Sequence, residues 1–362
     1  MAEVNMEQLL NCAFCPNMCR SECPVLQVTG REAVAPAGKA RISALLNEGK
    51  LDWNEAFLEA VSNCLGCRGC TIHCPFPDLN LCDELLYTRM KADSKGIGLP
   101  ILDPYLNNLK KYSSPYGQKT GVISTANRDA DFLIFNGCTS LANNPASIKA
   151  TMSLLDRAGI SYQMIEEDCC GYPAQVWGNQ ELARQLAAEN KQKFRASGAS
   201  TLVTSCPECW LTFTDRYPDL DQALPLEVID GPSFFFNLVK EGYLKPKKKA
   251  DGEGLGILSY HDPCIWARTA RKVNEPREII EKIPGIKLKE PLSSKDHTRC
   301  CGGGSMFQLA FPGTASAIAR RRLDEFPQKA AIITACPFCR EGLLQEDRPV
   351  WELVELLEQF FE

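Results

Sequence analysis

Short apolar runs that end at a cysteine recur through the C-terminal two thirds of the chain. Asp131 to Phe135 leads to Gly137-Cys138, Thr201 to Thr204 to Cys206, Gly256 to Tyr260 to Cys264, and Ala331 to Thr334 to Cys336. Continuous apolar runs of this length, bounded by turn residues, predict strands buried on both faces. Between them Ala146 to Arg157, Glu181 to Arg195, Pro276 to Ile283 and Thr314 to Glu325 carry apolar residues at helical spacing. Strands alternating with helices predict open parallel α/β sheets, whose sites form outside the carboxyl ends of the strands, so each strand delivers a thiol where a ligand belongs. Upstream, Gly38 to Leu46 and Trp53 to Val61 read as two scaffold helices. Residues 93–121 shift to Gly, Pro, Tyr, Lys and Ser and read as a connector, while Lys245-Pro246-Lys247-Lys248-Lys249 with Gly252-x-Gly254-x-Gly256 reads as a solvated linker. Leu353, Leu357 and Phe360 predict a terminal helix docked on the chain's own core.

Composition excludes several classes of function. The 362 residues hold 40 Lys+Arg against 45 Asp+Glu, a net charge of −5, with 44% apolar residues. This is ordinary globular composition, and the mild acidity without a dense basic face argues against nucleic acid as a partner. No apolar stretch approaches the roughly 18 residues that span a bilayer, and the start Met-Ala-Glu-Val-Asn-Met-Glu lacks the basic and apolar regions of a signal peptide. A cytoplasmic location is expected, any membrane contact coming through a partner. What changes the picture is 19 Cys beside 3 His. An odd count cannot pair completely and a reducing cytosol disfavours disulfides, so metal is the better explanation.

Spacing narrows the metal. Cys64-x2-Cys67-x2-Cys70-x3-Cys74 followed by Pro75 reproduces the bacterial run that wraps a [4Fe–4S] cube. Cys12-x2-Cys15-x3-Cys19-x3-Cys23 with Pro24 carries one extra residue between its second and third cysteines. Zinc knuckles would want separated pairs instead of such tight runs. Because the fourth Cys of each run in two-cluster ferredoxins serves the other cluster, Cys12, Cys15, Cys19 and Cys74 are assigned to one cube, and Cys64, Cys67, Cys70 and Cys23 to the other. His73 lies inside the second run, as a hydrogen-bond donor to cluster sulfur or a surface imidazole without a required role. Cys82 fits no pattern and reads as a small buried residue.

The remaining cysteines repeat. Cys138, Cys169-Cys170-Gly171 and Cys206-Pro-Glu-Cys209 recur as Cys264, Cys300-Cys301-Gly302 and Cys336-Pro-Phe-Cys339, offset by 126 to 131 residues. This marks a duplicated domain. A thioredoxin-like pair would explain each C-P-x-C but needs no adjacent Cys-Cys and no fifth thiol. Five thiolates exceed what a zinc ion or an ordinary cube takes, so an expanded, non-cubane cluster is the natural reading. Gly302-Gly303-Gly304 lacks the Lys-Ser/Thr of a phosphate loop, and Gly252-x-Gly254-x-Gly256 precedes a strand instead of following one, so neither predicts a nucleotide. Close backbone approach to a cluster explains the first better. No flavin or nicotinamide motif is present, so hydride chemistry belongs to a partner.

From these motifs, together with Tyr260-His261-Asp262-Pro263-Cys264, the chain resembles the CCG-domain iron–sulfur proteins over about residues 8–345. Within them it resembles the heterodisulfide reductase type in which a ferredoxin-like region is fused to a double cysteine domain. Iron–sulfur subunits of glycolate oxidase and anaerobic glycerol-3-phosphate dehydrogenase are similar in layout. The resemblance implies an α/β protein with a helical two-cluster ferredoxin-like domain (1–95), a connector (96–128), a first CCG domain (129–243), a linker (244–255) and a second CCG domain with a C-terminal helix (256–362). It implies two cubane [4Fe–4S] clusters as a wire, and two non-cubane [4Fe–4S] clusters facing each other across a substrate gap. Cys138, Cys169, Cys170, Cys206 and Cys209 would hold one of these, and Cys264, Cys300, Cys301, Cys336 and Cys339 the other. His261 and Arg268, flanking Cys264, are candidates to orient or neutralise a substrate or cluster thiolate. A flavoprotein or other electron-donor subunit is the implied partner. The implied acceptor is a disulfide or similar two-electron acceptor; in the alternative reading the chain only relays electrons from a 2-hydroxy-acid, glycerol-3-phosphate or acyl-CoA flavoprotein dehydrogenase to quinone or another carrier. A zinc-stabilised, colourless scaffold is the non-redox alternative.

Overall fold

The computed structural model describes residues 3–76, 78–119, 130–220, 222–248, 256–344 and 348–362. Lys249, Gly252, Gly254 and the connector residues 120–128 lie outside the described residues.

The N-terminal region is built of helices set by local capping. Asn5 accepts from Gln8 N and starts Met6–Phe14, and Asn54 accepts from Phe57 N and starts Glu55–Ser62. Pro36 opens Pro36–Asn47, where a missing N–H costs nothing. Helix Leu81–Ser94 closes the region. Composition marks residues 93–121 as connector, yet Pro104 at a helix start seeds Asp103–Tyr112, which buries Leu109.

Two four-stranded sheets follow. β1 Phe132–Phe135, β2 Tyr162–Gln163, β3 Thr201–Thr204 and β4 Glu227–Asp230 line up in the order β2-β1-β3-β4. β5 Ile257–His261, β6 Lys287–Leu288, β7 Ala331–Thr334 and β8 Val350–Glu352 line up as β6-β5-β7-β8. Every pair is parallel, and the winding of the two sheets is the same, as a duplication requires. The order reverses between β1 and β3, and between β5 and β7. At such switch points the loops leaving the two strands diverge and open a crevice for ligands.

Side chains alternate across each sheet between two shared cores. Leu133, Phe135, Leu202 and Ile332 face one core, which also holds eight of the cysteines. Ile134, Val203, Leu258 and Ile333 face the other. The second core is where the repeats join. The terminal helix Leu353–Phe360 packs on helix Pro145–Arg157 of the first repeat, with Arg157 Nη2 2.5 Å from Glu358 Oε1. Lys245 N donates to Glu362 O at 2.8 Å, so the start of the lysine-rich stretch is tied to the C-terminus. The N-terminal region docks on the second repeat through Val25, Leu65, Phe307 and Ile318. Among the described residues no helix is long and apolar enough to cross a membrane.

Candidate metal centres

All 19 cysteines are free, and most are buried. The first repeat places its five at the switch point. Cys138 follows β1, and Cys206 follows β3 and starts helix Pro207–Leu211. The turn at Asn136-Gly137 is held by Glu167, whose Oε1 accepts from Asn136 N at 2.7 Å and Oε2 from Gly137 N at 2.8 Å. Gly137 has φ +84°, and a Cβ there would sit 3.2 Å from Cys209 Sγ, so only glycine lets the sulfurs close in. Burial pushes Glu167 up to about 7 against the pull of these bonds.

The thiols form a continuous series. Cys138 Sγ lies 3.8 Å from Cys169 Sγ, and contacts run on from Cys169 to Cys170, Cys209 and Cys206. The second repeat has the same series: Cys264, Cys300, Cys301, Cys339, Cys336, with Cys301 Sγ 3.3 Å from Cys339 Sγ. In each set one vicinal cysteine is the hub. Although buried, Cys170 is held well below the ordinary thiol value by hydrogen bonds from Cys169 and Cys209. Cys301 is held down by bonds from Cys300 and Cys339. The donors move oppositely: bonds to Cys138 and Cys170 together with burial raise Cys169, and bonds to Cys301 and Cys336 together with burial raise Cys339.

Five soft sulfur donors gathered in a buried pocket at the strand ends are the arrangement that bound iron completes. The donor set therefore fits a sulfur-ligated cluster in each repeat. Gly303 of the second repeat brings its backbone close to these thiols, its N donating to Cys301 Sγ at 3.4 Å, and a Cβ there would lie 2.4 Å from Phe338 O, so the glycine also admits the backbone of the Cys336–Cys339 turn.

The N-terminal cysteines line two clefts. Cys12, Cys15, Cys19 and Cys74 border one together with Cys70. Cys23, Cys64, Cys67 and Cys70 border the other. The extra residue of the first run is absorbed by Asn17, which adopts φ +65°, a left-handed conformation that asparagine tolerates. Burial and the neighbouring Cys19, Cys15 and Cys74 push Cys12 up to about 12. Pattern reading misses two members of the second cleft. Cys82 contacts Cys64 and Cys70, and the buried Lys39 donates to Asn63 O at 2.8 Å beside these thiols. Burial alone would lower the Lys39 ammonium, but the thiols of Cys23, Cys64, Cys70 and Cys82 hold it above the ordinary value.

The clefts and the strand-end sets are connected. Cys67 contacts Cys300, and that hydrogen bond pulls Cys67 down to about 6. The far end of the second series, Cys336, feels the charge of Cys206 in the first. Between the sets Ser305 N donates to Glu208 Oε1, and Ser305 Oγ lies 3.4 Å from Leu65 O and 3.5 Å from Tyr172 Oη. Burial pushes Glu208 up to about 8.

Arg268 spends its donors on carbonyls. Nη1 reaches Cys67 O at 2.5 Å, Nε reaches Asp296 O at 2.9 Å, and Nη2 donates to Thr298 O, so the side chain clamps the second cysteine run to the second repeat. His73 pairs with His297 at the same junction, Nε2 to Nδ1 at 3.3 Å. His261 ends β5 and lies buried against Cys301 and Cys339.

Comparison with known proteins agrees with this layout. The cysteine-rich domain family CCG matches residues 132–214 and 258–343, and a 4Fe-4S dicluster domain matches residues 8–77. A subunit of the dihydromethanophenazine:CoB–CoM heterodisulfide reductase of Methanosarcina barkeri is 30% identical over 330 residues, covering 84% of this chain and 78% of that protein. The EtfAB:quinone oxidoreductase of Syntrophomonas wolfei is 25% identical over 337 residues, 83% of this chain but 46% of that protein. A crystal structure of a hypothetical protein from Helicobacter pylori superposes with a TM-score of 0.63 at 12% identity, over 98% of this chain and 76% of that one, and shares the fold.

Proposed function

The chain belongs to the CCG-domain iron–sulfur proteins of the heterodisulfide reductase type, and from that premise we propose that it carries electrons from a flavoprotein or other donor subunit to a disulfide or similar two-electron acceptor. The observation that carries the proposal is the thiol series running from Cys67 through Cys300 and Cys301 to Cys336, and across to Cys206 and Cys138. In this reading Cys12, Cys15, Cys19 and Cys74 hold one cubane cluster, and Cys23, Cys64, Cys67 and Cys70 the other. The five thiols of each repeat hold a non-cubane cluster, within units at 1–95, 129–243 and 256–362. When bound, the clusters supply one-electron carriers, and the paired sites together match the two electrons a disulfide takes up.

The chain's own residues do the rest. The sheets fix the strand-end thiols, Arg268 and the apolar cluster of Val25 and Leu65 with Phe307 and Ile318 hold Cys67 against Cys300, and Lys39 places a cation among the second-cleft thiols. The apolar cores on both sides keep bulk water from the sulfurs.

One observation favours the relay alternative, in which the strand-end sites pass electrons to quinone or another carrier and bind no substrate. The seam between the sets is filled by Glu208, Ser305 and Tyr172. The readings separate in the oxidised, anaerobically purified protein: a low-molecular-weight thiol is expected to change the electron paramagnetic resonance spectrum of the strand-end sites. An unchanged spectrum at saturating thiol favours the relay.

A further inference from the structure

The two five-cysteine sets share order and topology but differ at buried positions, Glu208 against Phe338 within the C-P-x-C turns and, nearer the thiol hub, one residue at the end of a central strand. In the first sheet Phe135 pairs with Thr204, and in the second His261 pairs with Thr334. Each pair holds the last registered place of its two central strands, and each of Phe135 and His261 stands three residues before the first cysteine of its set. The surroundings follow the residue. Phe135 sits in an aromatic cluster, its ring 4.9 Å from that of Phe213 and 5.8 Å from that of Phe194. His261, 1% exposed, meets the equally buried Arg322, which donates from Nε to His261 Nδ1 at 3.2 Å.

That bond fixes the ring. An arginine cannot accept, so Nδ1 is the acceptor and the proton of the neutral imidazole resides on Nε2. Nε2 is buried and, among the described residues, meets no nitrogen or oxygen partner. His261 contacts Cys301, and one of its ring nitrogens and the sulfurs of Cys301 and Cys339 lie within 4.8 Å of one another, so Nε2, the nitrogen Arg322 leaves free, is the one able to donate there. Arg322 is itself anchored by Glu325 at 2.5 Å, by Ser293 O at 2.9 Å, and by its guanidinium lying 4.6 Å from the Phe326 ring centre. An anchored cation thus aims a neutral N–H at the hub thiol of the second set, and the first set has a phenyl ring at that place.

We propose that His261, positioned by Arg322, makes the two cysteine-set sites unequal, holding the second easier to reduce than the first by directing Nε2–H at Cys301. The inference rests on the iron–sulfur reading above and adds which of the paired sites retains an electron. A donor aimed at a cluster sulfur stabilises the more negative, reduced form and so raises the potential. His261 is a positioning residue here and supplies no ligand.

The test compares anaerobically purified full-length protein with His261→Phe, which copies the first repeat, and His261→Gln, which keeps an N–H donor. Iron and sulfide are counted, and both sites are titrated potentiometrically by electron paramagnetic resonance. His261→Phe is expected to keep its iron and lower one potential, cutting the reduced-to-oxidised ratio of that site about tenfold at fixed ambient potential, about 59 mV for a one-electron couple. His261→Gln is expected to restore most of the shift. Equal iron with both potentials unmoved in His261→Phe overturns the proposal. Should His261→Phe lose iron at one site, a loaded His261→Gln with near wild-type potentials supports the donor role, and loss of iron in both variants overturns it. Wild-type protein without iron at the paired sites would instead overturn the function on which the inference stands.

Discussion

Cys169→Ser and Cys300→Ser are each expected to lose about four irons per chain and to abolish acceptor reduction, while the spectrum of the N-terminal clusters persists. Both residues are inner members of their series: Cys169 joins Cys138 to Cys170, and Cys300 joins Cys264 to Cys301. A serine at either place exchanges a soft thiolate for a hydroxyl that binds iron poorly and keeps its proton. It also removes a hydrogen bond from the hub thiol, which would no longer be held low. The two variants differ in one respect. Cys300 also contacts Cys67, so Cys300→Ser is expected to shift the potential of the second N-terminal cluster, whereas Cys169→Ser leaves it in place. Iron analysis, spectra of the reduced proteins and turnover with a disulfide acceptor check all three statements; full activity in either variant removes the mechanism.

Arg277→Leu is the second large effect, and it acts through stability. The guanidinium grips Asp262 through Nη1 at 2.7 Å and Nη2 at 2.8 Å, and Glu290 through Nε at 2.6 Å and Nη2 at 2.8 Å. Asp262 is 1% exposed, two residues before Cys264, and also accepts from Lys295 N at 2.7 Å. Leucine would strand that carboxylate in the interior. Breaking one partner of such a pair costs about 3–5 kcal/mol, a large share of the roughly 5–15 kcal/mol by which a folded chain is stable. Thermal unfolding is expected to begin at a clearly lower temperature, with iron lost from the second repeat. An unchanged transition with full iron would show that the grip is dispensable. The pH dependence has a definite sign. Burial would raise Glu290, but its bonds to Arg277 outweigh this and hold the carboxyl below its ordinary value. Its contribution is therefore present above the unfolded carboxyl range and is lost as pH falls through the lowered one, and Arg277→Leu is expected to flatten that acid limb.

Much of this architecture is legible in the chain itself, for physical reasons that also set the limit. β1, β3, β5 and β7 are buried on both faces and read as continuous apolar runs, and the helices after them show a clear apolar stripe. The outer strands do not. Tyr162–Gln163 and Lys287–Leu288 are two residues long, too short for any periodicity, and Val350–Glu352 merges with the helix that follows it. The helix Asp103–Tyr112 is hidden by composition, since Pro, Tyr and Lys signal a loop until one sees Pro104 at the first turn. At the metal centres the repeating cysteines announce themselves through spacing, because thiol ligands are rare and their intervals regular. Cys82 carries no such interval, and its thiol joins Cys64 and Cys70 only through the packing of Leu81–Ser94. Lys39 looks like one more polar residue on a scaffold helix, and Arg322 like one of three consecutive arginines, until the fold buries them. The contact of Cys67 with Cys300 joins distant segments, so no local pattern reports it.

The most direct measurement is the iron and sulfide content of the whole chain purified without oxygen. Four clusters of about four irons each predict iron near 16 per chain, with zinc absent. Iron near 8, with only the signals of reduced cubes, would mean that the strand-end thiols hold no cluster, and would contradict the account at its centre.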